Sequence, residues 1–71
     1  MKEKYTVGEI AAALKLDERM TRKLLNDAGT HVNELLIDPY PEEEITRAQV
    51  VDLFVDRAGT REGRLLAGLL K

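Results

Sequence analysis

Residues 6–29 carry the local signals of two short helices joined by a tight turn. Thr6, followed three residues later by Glu9, forms a capping box that predicts a helix start. Asp17 is a favourable N-cap for a second helix, and Gly29 stands where a C-terminal glycine would end it. Two short helices joined this tightly are typical of units that place a helix in a groove of DNA.

Helical spacing predicts which face of each helix is buried. In the first helix the buried residues are predicted to be Ile10, Ala13 and Leu14. The second helix is predicted over residues 18–28, with an apolar stripe made of Met20, Thr21, Leu24, Leu25 and Ala28. Its other face is predicted to expose the polar residues Arg19, Arg22, Lys23 and Asn26.

Residues 30–45 admit two interpretations. Thr30 can cap a short helix through Val32 and the following leucines, or residues 34–37 can form a strand that Ile45 pairs with after a turn. The two prolines in residues 38–41 push their predecessors out of the helical region and indicate that turn. A small hairpin is the favoured interpretation. Residues 1–5 are expected to be a polar lead-in, with Tyr5 packing just before the first helix.

Two further helices are predicted toward the C-terminus. Thr46 and Gln49 form a second capping box, which opens a helix over residues 46–58. Its inward-facing residues are predicted to be Val50, Val51, Phe54 and Val55. Thr60 caps a last helix over residues 60–71, whose apolar stripe is Leu65, Leu66, Leu69 and Leu70. This stripe packs either on its own domain or on a partner; we predict a partner or homodimer face.

Length and charge limit the number of domains and the classes of function that the chain can have. Seventy-one residues without cysteine form one domain with a marginal core. The net charge of −2 argues against a general polyanion binder, but the charge is segregated, at +1, −6 and +3 over residues 1–29, 30–56 and 57–71. No leader or membrane-spanning run is expected, so a cytoplasmic location is predicted. No catalytic set, metal site or cofactor motif is evident, and an enzyme is not expected.

The order of these elements resembles the small winged helix-turn-helix domains of the MerR and phage-excisionase type. The resemblance covers residues 5–55 and rests on Tyr5-Thr-Val-Gly-Glu-Ile-Ala-Ala-Ala-Leu-Lys-Leu-Asp17 and, later, on Ile45-Thr-Arg-Ala-Gln-Val-Val-Asp-Leu-Phe54. It implies a mainly α winged helix-turn-helix domain of three to four helices. Residues 6–29 would form the helix-turn-helix and residues 30–45 the wing. It also implies that Arg19, Arg22 and Lys23 face nucleic acid.

We therefore expect sequence-specific binding of double-stranded DNA, as a transcriptional regulator or as an accessory factor of the excisionase kind. Lys15 and Asn26 would add contacts beside the three residues of the recognition helix. The alternative is a protein-interaction or assembly module on the same scaffold, as in phage packaging or regulatory complexes. The acidic middle and the leucine-rich tail favour that alternative, because a fold does not determine a function.

Overall fold

A computed structural model of the chain describes residues 2–34 and 43–71. In chain order, the elements of these residues are β1 (Lys4–Thr6), α1 (Val7–Leu14), α2 (Glu18–Asp27), β2 (Glu44–Thr46), α3 (Arg47–Asp56) and α4 (Arg61–Leu69). The described part of the chain is thus mainly helical and has a small two-stranded antiparallel sheet. Of the predicted wing, residues 35–42 lie outside the described residues, so neither interpretation of that stretch is decided.

Both predicted capping boxes are confirmed. Glu9 donates its backbone N–H to Thr6 Oγ1, and Thr6 donates its own to the Glu9 carboxylate, each over 3.1 Å. Thr46 and Gln49 repeat this reciprocal pair at the start of α3. A hydrogen bond from the Lys2 ammonium, followed by the one from the Thr6 backbone, holds the pKa of Glu9 below its ordinary value. Thr60 caps α4 as predicted, by accepting from the backbone of Gly63.

The turn between α1 and α2 is closed by a backbone hydrogen bond at its first end and by a side-chain cap at its second. Lys15 adopts a left-handed conformation with φ 58°, and Leu16 donates back to the carbonyl of Ala11 over 3.1 Å. Asp17 then caps α2 by accepting from the backbone N–H of Met20 over 2.7 Å. The predicted stop at Gly29 is confirmed, because its φ of 96° is one that glycine adopts readily. The joint between α1 and α2 is therefore a defined turn rather than a free loop.

The sheet joins the beginning of the chain to the segment before α3. Ile45 does lie in a strand, as predicted, but its partner is Tyr5 in β1, so the lead-in at residues 1–5 is not merely polar. Tyr5 and Ile45 are each only 2% exposed, whereas Lys4 and Glu44 face solvent and form an ion pair. The strands pair because this register buries the one apolar residue at the centre of each strand. Pairing over such a sequence distance leaves no local signal.

One hydrophobic cluster receives side chains from every element. Its fully buried members are Tyr5, Val7, Ile10, Leu14, Leu24, Leu25, Ile45, Val50, Leu53 and Leu66. Three predictions about buried faces were wrong: Met20, Val51 and Val55 are 46%, 39% and 65% exposed. In α3 the buried face is centred on Val50 and Leu53, three residues apart, and this rotation turns Val51 and Val55 outward.

Helix α4 closes the core by packing on α1 and α3. Leu66 is completely buried, so the prediction that it belongs to a partner or dimer face was wrong, while Leu65, Leu69 and Leu70 are half-buried against the core. Gly63 makes this approach possible, because a Cβ there would lie only 2.2 Å from the carbonyl oxygen of Arg57. A segment that sequence reasoning assigned to binding is therefore part of the fold itself.

Arg47, the first residue of α3, forms hydrogen bonds with residues near both ends of the described chain. Its backbone N–H donates to the carbonyl of Glu3 over 2.8 Å, and its guanidinium donates to the hydroxyl of Tyr5 over 3.1 Å. The same guanidinium donates to the carbonyl of Leu70 at the end of α4. A cation at a helix C-terminus satisfies carbonyls that lack an intrahelical partner.

Candidate nucleic-acid interface

The structure divides the five predicted contact residues into two groups. Lys15, Arg19 and Lys23 are exposed, whereas Arg22 is buried and Asn26 is half-buried. The difference follows from position around α2. At about 100° per residue, Arg22 lies about 60° from the buried Leu25, and Lys23 lies about 160° from it. Arg22 therefore belongs to the edge of the buried face.

Arg22 is 1% exposed, and the prediction that it faces outward was wrong. Its Nη1 donates to the carbonyl of Asn33 over 2.9 Å and also to the carboxylate of Glu43. Glu43 in turn accepts from the backbone N–H of Asn33 over 3.4 Å. A buried guanidinium needs a counter-charge and acceptors, and Glu43 and Asn33 supply them from either end of the stretch that follows α2.

Asn26 also binds within the chain. Its Nδ2 donates to the carbonyls of Arg22 and Val32, over 3.0 and 2.9 Å, and its Oδ1 accepts from the backbone of Val32 over 3.2 Å. The amide thus ties residue 32 to the outgoing end of α2. A contact from Asn26 to a base edge would first require these hydrogen bonds to break. Asn26 and Arg22 therefore do not belong to the candidate interface.

The remaining cations form what we call the α2 basic face, defined as Lys15, Arg19 and Lys23. Arg19 and Lys23 are one helical turn apart on α2, and Lys15 lies in the turn immediately before the helix. Met20, which is exposed, lies next to the two helical cations. A shallow depression of about 310 Å³ is lined by Asp17, Arg19, Met20 and Lys23.

The carboxylates near this face make contacts with other parts of the chain. Asp17 is the N-cap of α2, and Asp27 lies 3.8 Å from Arg57, at the far end of the helix. Glu18 is half-buried, and its Oε1 lies 3.8 Å from the position of a Cβ built on Gly8, beside the first turn of α1. Arg19 and Lys23 are the exposed cations of α2, with the exposed Asp17 beside them at the N-cap.

Sequence reasoning missed the roles of Glu43, which pairs with Arg22 of α2, and of Arg47, which joins the N-terminal segment to the end of α4. The signal for a buried Arg22 was present in its angular closeness to Leu25, but its partner Glu43 stands in a run of three acidic residues that has no helical or strand period. Other exposed cations lie on α4 and at its end, at Arg61, Arg64 and Lys71. They provide matched controls for the α2 basic face.

Comparison of the chain with protein families, with curated proteins and with solved structures finds no match. Within residues 2–34 and 43–71, no helix combines the length and the hydrophobicity that crossing a bilayer requires. The same residues contain no set of three His, Cys, Asp or Glu side chains arranged to hold a metal ion.

Proposed function

We propose that this chain binds double-stranded DNA by placing the N-terminal half of α2 in the major groove. The observation that carries the proposal is the α2 basic face. Its three cations are exposed on, or directly before, the second helix of a tightly joined helix pair, while Asp17 caps the helix. In helix-turn-helix proteins, N-terminal residues of the second helix contact base edges, and nearby cations contact phosphates.

Each member of the face has a role that fits its chemistry. Arg19 is the second residue of α2, where a guanidinium reaches furthest into a groove and can bind guanine O6 and N7 together. Lys15 and Lys23 flank it at the turn and one helical turn later, as phosphate contacts do. Because the whole chain has a net charge of −2, binding depends on the fit of this one face.

The finer fold proposal is a winged helix-turn-helix domain of the MerR and excisionase type. The order α1, tight turn, α2, β2 and α3 supports it. Of the wing that the resemblance implies at residues 30–45, residues 35–42 lie outside the described part of the chain. The biological role proposed with it is that of a transcriptional regulator or of an accessory factor of the excisionase kind.

The test is a salt titration of binding to a mixed-sequence fluorescent DNA duplex, followed by anisotropy. Each phosphate contact contributes about 0.9 to the slope of log affinity against log salt. The double variant Lys15→Ala/Lys23→Ala, which removes both proposed phosphate contacts of the α2 basic face, should therefore lower the slope by about 2. The matched control Arg61→Ala/Arg64→Ala makes the same change in net charge and should leave the slope within about 0.5.

Two results would contradict the proposal. One is the absence of binding by the parent chain at low salt, where phosphate contacts are strongest. The other is an equal loss of slope in the α2 and α4 double variants, because that would indicate net charge rather than a defined face.

A protein-interaction module remains the second candidate function. The observation that favours it is the outer side of α3, where Val51 and Val55 face solvent one helical turn apart. Exposed valines at this spacing are how a helix presents a docking stripe to another helix.

A further inference from the structure

Within the described residues, three large hydrophobic side chains are exposed: Met20, Val51 and Val55. They are not scattered. Met20 lies on the α2 basic face, and the two valines lie together on α3. Each apolar group is bordered by charges, and the charges of the two groups are opposite in sign. The surface of one chain therefore carries both halves of a complementary pair.

The acidic half is the outer side of α3. We define the α3 outer face as Ala48, Val51, Asp52, Val55 and Asp56, all of which are exposed. The apolar members follow the spacing of three and four residues by which helices pack side by side. Asp52 and Asp56 form a second row, one turn apart. Arg57 lies 3.3 Å from Asp56, so Asp52 carries the larger share of the outward negative charge.

The basic half contains an exposed apolar side chain, Met20, and a shallow depression in which an apolar side chain of another chain can lie. Met20 is exposed next to Arg19 and Lys23, and these three residues line the shallow depression together with Asp17. A methionine adapts its shape to an irregular apolar neighbour more easily than other side chains. A valine from another chain, bordered by carboxylates, matches both the depression and its cations.

We propose that the α3 outer face of one copy docks on the α2 basic face of a second copy. Contacts of α3 on α3 or of α2 on α2 are disfavoured by charge, because the first brings Asp52 and Asp56 of two copies together and the second brings Arg19 and Lys23 of two copies together. Only the α2-on-α3 arrangement brings opposite charges and apolar groups together.

The physical character of this contact is defined by its size and its charges. Three apolar side chains and two pairs of charges form a patch below the size of stable interfaces, so the association is weak and depends on concentration. The ion pairs lie at the surface and are screened by salt, so the association weakens as ionic strength rises. It needs no DNA, and its test is independent of the proposed DNA binding.

The experiment is sedimentation velocity at about 1 mM chain in low salt, with two charge-reversal variants. Asp52→Lys/Asp56→Lys destroys the α3 outer face and keeps α2 intact. Arg19→Glu/Lys23→Glu instead reverses the charge of the α2 basic face and keeps the α3 outer face intact. The parent chain should self-associate, and each variant alone should associate at least about tenfold more weakly. Mixed together, the two variants should associate again, because the α2 face of each is opposite in charge to the α3 face of the other.

Two controls keep the result interpretable. Arg61→Glu/Arg64→Glu reverses the same number of charges on α4 and should leave self-association within about twofold of the parent. Val55→Ser removes apolar surface without changing charge and should weaken self-association at every salt concentration. Circular dichroism confirms that each variant retains the helical signal of the parent, so a loss of association is not a loss of folding.

The proposal is overturned if the parent chain stays monomeric at this concentration, or if Asp52→Lys/Asp56→Lys associates as strongly as the parent. It is also overturned if the mixture of the two folded variants stays monomeric, because the mixture restores opposite charges across the α2-on-α3 contact. Recovery of self-association in a chain that carries all four reversals would support it further.

Discussion

Replacement of Arg22 by Met tests the largest difference between the sequence prediction and the structure. A recognition-helix arginine on an exposed face could be replaced without loss of stability. The structure instead shows a guanidinium that is 1% exposed and bonded to Asn33 and Glu43. Methionine keeps most of the aliphatic stem in the core, so the variant isolates the loss of the guanidinium.

The expected loss can be worked from these contacts. Removal of one partner from a fully buried ion pair costs about 3–5 kcal/mol. The Glu43 side chain is 27% exposed and regains water when Arg22 is absent, which lowers that figure. The hydrogen bond to the Asn33 carbonyl, made by a charged donor, is worth about 1.5–3 kcal/mol. We therefore expect Arg22→Met to lower the free energy of unfolding by about 2–3 kcal/mol.

Urea unfolding followed by circular dichroism measures this loss. With a slope near 1 kcal/mol per molar urea, the midpoint should fall by about 2–3 M. The matched control is Lys23→Met, which changes the next residue of α2 and, being exposed, should shift stability by less than about 0.5 kcal/mol. A double-mutant cycle with Glu43→Gln should give a coupling energy of at least about 0.5 kcal/mol. An unchanged midpoint for Arg22→Met, together with weaker DNA binding, would refute the buried placement.

Four further substitutions test local features. Lys15→Gly should stabilise the chain by about 1 kcal/mol, raising Tm by about 4–8 °C, because φ 58° suits glycine; an unchanged or lower Tm would contradict the left-handed turn. Gly63→Ala should destabilise by about 1–3 kcal/mol, since its Cβ would lie 2.2 Å from a carbonyl of Arg57, whereas Gly68→Ala, with open space, should stabilise by up to about 1 kcal/mol. Equal effects of these two substitutions on thermal unfolding would contradict the close approach of α4. The pKa of Glu9 is lowered in the folded chain, so its contribution is present above the pKa it has when unfolded and is lost as pH falls through the folded value. Glu9→Gln keeps a capping acceptor and should flatten the fall in stability on the acid side, which a pH series of thermal melts measures; a fall as steep as that of the parent would show that Glu9 is not its source.

Much of the helical structure was predictable because its signals are local. A capping box is complete within four residues, and Thr6, Asp17, Thr46 and Thr60 each mark a helix start that the structure contains. Gly29 likewise ends α2 through its own backbone conformation. These features depend on neighbours in the chain, so a single sequence is enough to predict them.

The errors concern contacts between residues far apart in the chain. No sequence signal near Arg22 predicts its pairing with Glu43, which lies 21 residues later in the chain. The rotation of α3 depends on which of its apolar residues meets α4, and the spacing of Val50, Val51, Phe54 and Val55 did not decide it. Arg22 and Asn26 were wrongly predicted to contact DNA for the same reason. A polar side chain at the edge of a buried helix face points to solvent or into the fold depending on which partners the rest of the chain supplies.

The two proposals use the same side chains, and this has a consequence for regulation. Arg19 and Lys23 of one copy cannot pair with DNA phosphates and with the carboxylates of a second copy at the same time. Binding to DNA and docking onto a neighbour are then alternatives for each α2 basic face, and each weakens the other by mass action. A copy bound to DNA still exposes its own α3 outer face, but any copy that docks there gives up its DNA-binding face. Self-association would therefore lower the apparent DNA affinity as the concentration of the chain rises, the opposite of cooperative loading.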